Sequence, residues 1–115
     1  MPDRGEVWLA DLDPRRGTEP GKTRPVLIVQ SRALVQAGHP STIVVPLTTN
    51  LVDAAEPLRV RFPRRGRLHR DSDLLIDEIR AIDNRRLVGR ALCRTPEPLL
   101  HRVGEAIREV MDLVD

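Results

Sequence analysis

The chain has 115 residues, of which 31% are charged and 40% hydrophobic, with a formal net charge of +2. This length predicts a single domain spanning residues 1–115, and the composition excludes an intrinsically disordered chain. No apolar run approaches the roughly 18 residues of a membrane-spanning helix, and the N-terminal MPDRGEVWLADLD lacks the apolar segment of a signal peptide. We therefore expect a cytoplasmic protein without membrane contact.

The N-terminal region predicts two strands joined by a long loop. Residues 5–12, GEVWLADL, alternate in hydrophobicity as a half-buried strand does. The segment DPRRGTEPGKT at 13–23 contains two Pro and two Gly, which is typical of a loop too long for a tight hairpin turn. Loops of this length are often functional. The β-branched segment RPVLIVQS at 24–31 predicts a buried strand.

The middle of the chain predicts further strands with one helical interruption. SRALVQAG at 31–38 favours a helical turn or a short helix, and TIVVPLT at 42–48 favours a strand. Because Pro46 has no backbone N–H, we expect this strand to lie at a sheet edge or to carry a bulge. LRVRF at 58–62 also alternates. We expect Leu58, Val60 and Phe62 to point inward, and Arg59 and Arg61 to point outward.

The C-terminal region predicts two more strands and a helix. SDLLIDEIRAID at 72–83 favours a strand that bends, and RLVGRALC at 86–93 the last strand. We expect Thr95 to cap a helix whose first residue is Pro96. The apolar residues that follow recur on one helical face: Leu99, Leu100, Val103, Ala106, Ile107, Val110, Met111 and Val114.

Together these elements predict a mainly β protein, a small antiparallel barrel ending in an amphipathic helix. A parallel α/β fold is disfavoured because helices do not alternate with strands. A barrel of this size has little interior room for a ligand, so we expect function on the surface loops.

Charge is distributed unevenly along the chain. Of the 19 basic residues only Lys22 is lysine, and RVRFPRRGRLHR at 59–70 holds six arginines and no acid. Such a run is typical of a phosphate footprint, and equally of a solvated hairpin. Acidic residues crowd the next segment, DSDLLIDEIRAID. We favour their pairing with the arginines over a Mg²⁺ site.

The remaining chemistry-bearing residues favour neither a metal nor a cofactor. His39, His69 and His101 lack metal-ligand spacing, and Cys93, the only cysteine, is expected to be a small buried hydrophobe. The aromatic residues are only Trp8 and Phe62, which disfavours modules that bind single strands by base stacking.

Arg24 stands where the long loop meets a stiff strand. Pro25 fixes the following backbone and restricts Arg24 to extended conformations. A guanidinium anchored in this way is suited to grip an anion. The plainer interpretation is a surface arginine that pairs with an acid elsewhere.

Four stretches, in order, resemble the MazF/PemK toxin family: RGEVWLADLDP, GTEPGKTRPVLIVQS, IVVPLT and DSDLLIDEIRAIDNRRL. The family consists of sequence-specific bacterial endoribonucleases, mRNA interferases of type II toxin–antitoxin systems. The resemblance implies an SH3-like, CcdB/PemK-like barrel with short helices and a C-terminal amphipathic α-helix, usually as a homodimer. It also implies metal-independent cleavage of single-stranded RNA that leaves a 2′,3′-cyclic phosphate and a 5′-hydroxyl. The implied partner is a small MazE-like antitoxin that excludes RNA.

The same resemblance assigns the catalytic residues. Arg24 of the RPV motif matches the catalytic arginine, and Thr48 matches the catalytic threonine, for which strand-end capping is the plainer role. A guanidinium at this position stabilises the negative charge that gathers on the phosphate oxygens. Glu19 is the third candidate, as acceptor of the 2′-hydroxyl proton, as reader of a base edge or as a plain loop contact. The further RNA-binding candidates are Lys22, Arg15, Arg16, Thr49, Asn50 and Asp77.

One departure from the family pattern bears on the mechanism. Asp77 falls where some members use a catalytic acid together with an arginine two positions earlier, but Leu75 stands at that earlier position. This favours a mechanism built on Arg24 and Thr48. The alternative functions are a non-enzymatic CcdB-like toxin that binds a protein target such as gyrase, and a degenerate member that only binds its antitoxin or RNA. Neither requires the Arg24 and Thr48 pair.

Overall fold

The computed structural model describes residues 2–12, 17–18 and 22–113. Short 3₁₀ turns at Ile76–Glu78 and Asn84–Arg86 separate the last three strands. The helices are α1 (Arg32–Gln36) and α2 (Glu97–Val110). The strands are β1 (Glu6–Asp11), β2 (Thr23–Ile28), β3 (Ser41–Thr48), β4 (Arg59–Phe62), β5 (Ser72–Leu75), β6 (Arg80–Asp83) and β7 (Leu87–Arg94).

The strands form one antiparallel sheet in the order β4-β5-β3-β2-β1-β7, with β6 pairing to β3 as well. The mainly β, antiparallel fold with a C-terminal helix is therefore confirmed. The strand predicted to bend over residues 72–83 is β5 and β6, which a 3₁₀ turn separates. Both pair with the same strand, β3. The end of β3 thereby lies between β2 and β5.

Pro46 lies in an inner strand, so the expectation of an edge strand is wrong. It pairs with Val26 in a β2–β3 ladder that shows no register shift. On its other side, β3 pairs with β6 as far as Val44 and with β5 from Leu47 onward. Pro46 falls in the interval between these two ladders, where a residue without an N–H donor interrupts neither of them.

Alternate residues of the sheet supply two hydrophobic clusters, as the period of a strand requires. One cluster packs beneath α2 and includes Leu27, Leu47, Phe62 and Leu74. The other packs with Val35 of α1 and includes Ala10, Val26, Ile28 and Val44. Burial of Val60 and Phe62 confirms the inward face of β4. Leu58 was expected inward but is 52% exposed, because β4 begins only at Arg59 and the alternation does not reach back to it.

The C-terminal helix starts one residue later than predicted. Its N-cap position is Pro96, which offers no side-chain cap, and the helix begins at Glu97. Thr95 instead continues the end of β7, since its backbone N–H donates to Gly5 O at 2.8 Å. Its hydroxyl is buried and finds no hydrogen-bond partner among the described residues. Thr95 therefore does not act as a cap.

The predicted apolar face of this helix is confirmed along α2. Val103 and Ala106 are buried, and the partly buried residues packed against the same cluster include Leu99, Leu100, Ile107 and Val110. Met111 follows the helix and is 51% exposed, and Val114 lies outside the described residues.

Cys93 is partly rather than fully buried, at the margin of the same cluster. Burial raises the pKa of its thiol, as expected for a thiolate disfavoured by apolar surroundings. In the part of the chain that the structure describes, no helix has the length and apolar character needed to cross a membrane.

Candidate active site

A polar row lies across one end of the sheet. Thr48 at the end of β3 pairs with Asp73 of β5, and Asp73 pairs with Arg61 of β4. On the other side of β3, the β2–β3 ladder ends at the pair of Val26 and Pro46. Cross-strand partners share a face of the sheet, and neighbouring strands lie about 4.8 Å apart. Continuing the β2–β3 register by two residues therefore predicts that Arg24 lies beside Thr48, as the next member of the row.

Arg24 is held by the strand rather than by the loop before it. It lies inside β2, partly buried, opposite Ala10 of β1, and Pro25 lies opposite Leu9. The predicted extended conformation of Arg24 is thereby confirmed. The backbone from which its guanidinium extends is fixed by the ladder with β1 and by the proline that follows Arg24.

Thr48 combines a capping role with a hydroxyl that still has a proton to donate. Its Oγ1 accepts a hydrogen bond from Asn50 N at 3.2 Å, so strand-end capping is observed. A hydroxyl carries one donor and two acceptor lone pairs. Accepting from Asn50 therefore leaves the Thr48 proton available to a phosphate oxygen. Thr48 is partly buried, while Thr49 and Asn50 are exposed beside it.

The long loop between β1 and β2 is anchored next to Arg24. Asp11 pairs with Thr23, and Leu12 N donates to Lys22 O at 2.8 Å. Lys22 is exposed and adopts a positive φ of 62°, which turns the chain as it enters β2. The loop residues predicted to act on RNA, Glu19, Arg15 and Arg16, lie outside the described residues.

Asp77 lies outside the polar row. It is exposed on the 3₁₀ turn that joins β5 to β6. Leu75 precedes this turn, at the end of β5 opposite Arg59. The turn runs along the same side of β3 as the two strands that it connects.

Sequence reasoning missed the particular role of Asp73, which it treated only as one of several acids. Its side chain is 1% exposed, and its carboxylate accepts hydrogen bonds from Arg61 Nε at 2.6 Å, Val52 N at 2.8 Å and Arg59 Nη1 at 3.3 Å. Burial by itself would raise the pKa of Asp73, but these hydrogen bonds outweigh it and hold the pKa below its usual value. The outward Arg59 and Arg61 in LRVRF were the available signal, since an alternating hairpin sets both near one acid of the facing strand.

The predicted pairing of acids with the arginine-rich stretch at 59–70 is confirmed at Asp73. The arginines of this stretch differ in their partners. Arg59 and Arg61 pair with Asp73. Arg67 donates to the carbonyls of Arg90 and Ala91 at 3.2 and 2.9 Å. Arg67 is nevertheless exposed, as are the other arginines of the hairpin end, Arg64, Arg65 and Arg70.

The described residues contain no group of three His, Cys, Asp or Glu side chains placed to hold a metal ion. His39, His69 and His101 are all exposed. His101 lies beside Glu105 on α2, with 2.6 Å between Nε2 and Oε1.

Comparison with known proteins identifies the family. Residues 3–111 match the family described as PemK-like, MazF-like toxin of type II toxin-antitoxin system. The chain is 34% identical over 113 residues to endoribonuclease EndoA of Bacillus subtilis (strain 168), covering 97% of this chain and 96% of that protein. It is 35% identical over 111 residues to endoribonuclease MazF6 of Mycobacterium tuberculosis (strain ATCC 25618 / H37Rv), covering 96% of each.

Solved structures share the fold. MazF (Form-I) from Deinococcus radiodurans superimposes with a TM-score of 0.81 at 23% identity, covering 98% of each chain. An endoribonuclease from a mycobacterial species, solved in complex with its cognate antitoxin, gives a TM-score of 0.78 at 22% identity and covers 100% of this chain and 99% of that one. Together with the sequence match, these findings show that the chain belongs to the PemK-like, MazF-like toxin family.

Proposed function

We propose that the protein is the toxin of a toxin–antitoxin pair and acts as an endoribonuclease on single-stranded RNA, mRNA in the cytoplasm. The observation that supports the proposal is the β2–β3 register, which, continued two residues beyond the pair of Val26 and Pro46, would set Arg24 opposite Thr48 on one sheet face. A cation and a hydroxyl donor side by side suit a phosphate group. The relatives named endoribonuclease EndoA and MazF6 support the activity.

In the proposed reaction the RNA supplies its own nucleophile. The 2′-oxygen forms a bond to the adjacent phosphorus, the bond from phosphorus to the 5′-oxygen breaks, and the products are a 2′,3′-cyclic phosphate and a 5′-hydroxyl. Negative charge gathers on the nonbridging oxygens in the transition state. Arg24 stabilises that charge, and the Thr48 hydroxyl donates to one of these oxygens. Arginine stays protonated in proteins, so its role is electrostatic.

Proton transfer and RNA selection belong to the residues around this pair. We assign Glu19 to accept the proton of the 2′-hydroxyl. The departing 5′-oxygen must receive a proton in turn. Lys22, Arg15 and Arg16 would neutralise flanking phosphates. The exposed Thr49, Asn50 and Asp77 are then available to base edges. The reaction requires no metal ion.

The partners follow from the same surface. A MazE-like antitoxin with an acidic, apolar segment would cover the cationic face around Arg24 and exclude RNA. The mycobacterial neighbour solved with its cognate antitoxin supports this assignment. We also propose a homodimer, which light scattering at several protein concentrations would detect. A CcdB-like, gyrase-binding function is not favoured, since binding a protein target makes no use of Arg24 beside Thr48.

The decisive experiment is to incubate the protein with a long single-stranded RNA in EDTA and to map both ends at each cut. Cuts within one short sequence, with cyclic phosphate and 5′-hydroxyl ends, are expected. Arg24→Ala should slow cleavage by several orders of magnitude. Arg64→Ala, which removes an exposed arginine outside the polar row, should cleave at the wild-type rate. Absence of cleavage across RNAs of varied sequence would contradict the proposed activity.

A further inference from the structure

The turn that follows Thr48 is fixed by contacts from two neighbouring strands. Asn50 N donates to Thr48 Oγ1 at 3.2 Å, and Asn50 O accepts from Arg59 Nη1 of β4 at 2.8 Å. Two residues on, Val52 N donates to Asp73 Oδ2 of β5 at 2.8 Å. The turn is therefore bonded at two of its backbone amides and at one carbonyl.

Asp73 and Arg59 are themselves joined, at 3.3 Å between Arg59 Nη1 and Asp73 Oδ2. One carboxylate oxygen thus faces both the backbone amide of Val52 and the arginine that bonds Asn50 O. Because Asp73 is the cross-strand partner of Thr48, this support lies beside the candidate catalytic threonine.

The arginines of this network are poor candidates for a second phosphate site. Arg59 and Arg61 carry two positive charges, and the carboxylates that they contact, Asp73 and Asp53, carry two negative ones. Arg61 divides its guanidinium between Asp73 and Asp53, with Nη2 2.7 Å from Asp53 Oδ1. The local charge is balanced, so the geometry favours a structural connection to Thr48 over anion binding.

We propose that Asp73, acting through Arg59, is a positioning device that fixes the turn 48–52 and thereby aims the Thr48 hydroxyl at the scissile phosphate. This inference rests on the proposed endoribonuclease function. In this proposal Arg59 and Asp73 contact neither RNA nor the reacting atoms. They act through Thr48, and small displacements of a catalytic group are enough to lower the rate of a reaction strongly.

The two arginines on Asp73 provide a matched pair of variants. Arg59→Met and Arg61→Met each remove one ion pair from Asp73 and keep an apolar stem. Arg61→Met also removes the ion pair with Asp53, but only Arg59 bonds Asn50 O. We expect both to lower the melting temperature, while Arg59→Met lowers single-turnover kcat about 10-fold or more with little change in KM. Arg61→Met should keep a near wild-type kcat. Arg59→Lys, which retains a charged donor, should restore part of the rate.

A double-mutant cycle separates positioning from general weakening of the fold. If Arg59 acts through the Thr48 hydroxyl, Arg59→Met should have little further effect on kcat in a Thr48→Ala background. Any of three results would overturn the proposal. They are an equal reduction of kcat by Arg59→Met in both backgrounds, equal effects of Arg59→Met and Arg61→Met on kcat, and a raised KM with unchanged kcat in Arg59→Met.

Amide hydrogen exchange on the RNA-free protein tests the same connection without any cleavage assay. The Asn50 and Val52 amides should exchange faster in Arg59→Met than in Arg61→Met at matched stability. Equal exchange in the two variants would contradict the positioning role even if the protein cleaves RNA. If the wild-type protein cleaves no RNA but the two variants still differ in exchange, the proposed function and the catalytic role of this network are both wrong. The connection from Arg59 to the turn would then remain established.

Discussion

Thr48 and Asp73 are cross-strand partners on β3 and β5, yet one is partly exposed and the other is 1% exposed. The exposed member carries a hydroxyl suited to a phosphate, and the buried member carries the charge that orders the turn beside it. Burying a carboxylate is costly unless hydrogen bonds satisfy it, and both oxygens of Asp73 are bonded. In the proposed mechanism Thr48 therefore takes part in the chemistry and Asp73 supports it.

Replacing the Thr48 hydroxyl tests the chemical half of this division. Thr48→Val keeps the shape of the side chain but removes the hydroxyl, which is both the donor to phosphate and the acceptor from Asn50 N. We expect kcat to fall about 10²- to 10³-fold, as for loss of one transition-state hydrogen bond. Thr48→Ser keeps the hydroxyl and should retain most of the activity. Rates are measured on a short RNA containing the mapped cut site. A Thr48→Val protein with wild-type kcat would remove Thr48 from the mechanism.

Arg24→Lys tests whether the geometry of the cation matters as well as its charge. Lysine is a point charge and cannot make the bidentate contact that a guanidinium makes with a phosphate. We therefore expect kcat to fall at least 10-fold, less than in Arg24→Ala but well below wild type. Arg64→Lys, a matched change at an exposed arginine of the hairpin, should leave the rate unchanged. Equal rates for Arg24→Lys and wild type would show that Arg24 contributes only a positive charge that attracts RNA.

The strands were predictable because their patterns are local. Alternation identified β1 and β4, and β-branched runs identified β2 and β3. The position of Pro46 was not predictable, since only the pairing order shows that β3 changes partners beside it. Thr95 likewise is a residue type that caps helices, but its backbone N–H bonds to Gly5 O just beyond the end of β7.

The residue types of the candidate site were predictable from the sequence, but the hydrogen bonds that hold the site in place were not. Arg24 and Thr48 follow from motifs, whereas the expectation that they lie side by side comes from continuing the β2–β3 register beyond Val26 and Pro46, which no single segment contains. The role of Asp73 depends on three donors from residues 52, 59 and 61 that converge on it only after β4 and β5 pair. Such convergence is a tertiary property.

Stability in acid should depend on Asp3. Hydrogen bonds from Arg32, at 2.9 Å, and Arg94, at 3.1 Å, lower its pKa from 3.8 to about 2. A carboxyl whose pKa is lower in the folded state stabilises the fold above its unfolded pKa, and this contribution is lost as the pH falls through the folded value. Part of the stability of the wild type should therefore be lost between about pH 4 and pH 2.

Urea unfolding between neutral pH and pH 2 measures this effect. Asp3→Asn should be less stable than wild type at neutral pH and should approach it as the pH falls. Asp83→Asn should behave in the same way, because hydrogen bonds from Arg85 lower the pKa of Asp83 to about 2. A constant difference between Asp3→Asn and wild type across this range would contradict the assignment.

Two buried threonines should respond oppositely to the same substitution. Thr95 Oγ1 has no hydrogen-bond partner among the described residues, whereas Thr42 Oγ1 donates to Asn84 Oδ1 at 2.5 Å. Thr95→Val removes an unsatisfied buried hydroxyl and should raise the free energy of unfolding by about 1 kcal/mol. Thr42→Val leaves Asn84 without its donor and should lower it by about 1–3 kcal/mol. Thermal unfolding resolves both, since 1 kcal/mol shifts the melting temperature of a domain of this size by roughly 4 °C. A lower melting temperature in Thr95→Val would show that its hydroxyl has a partner in solution.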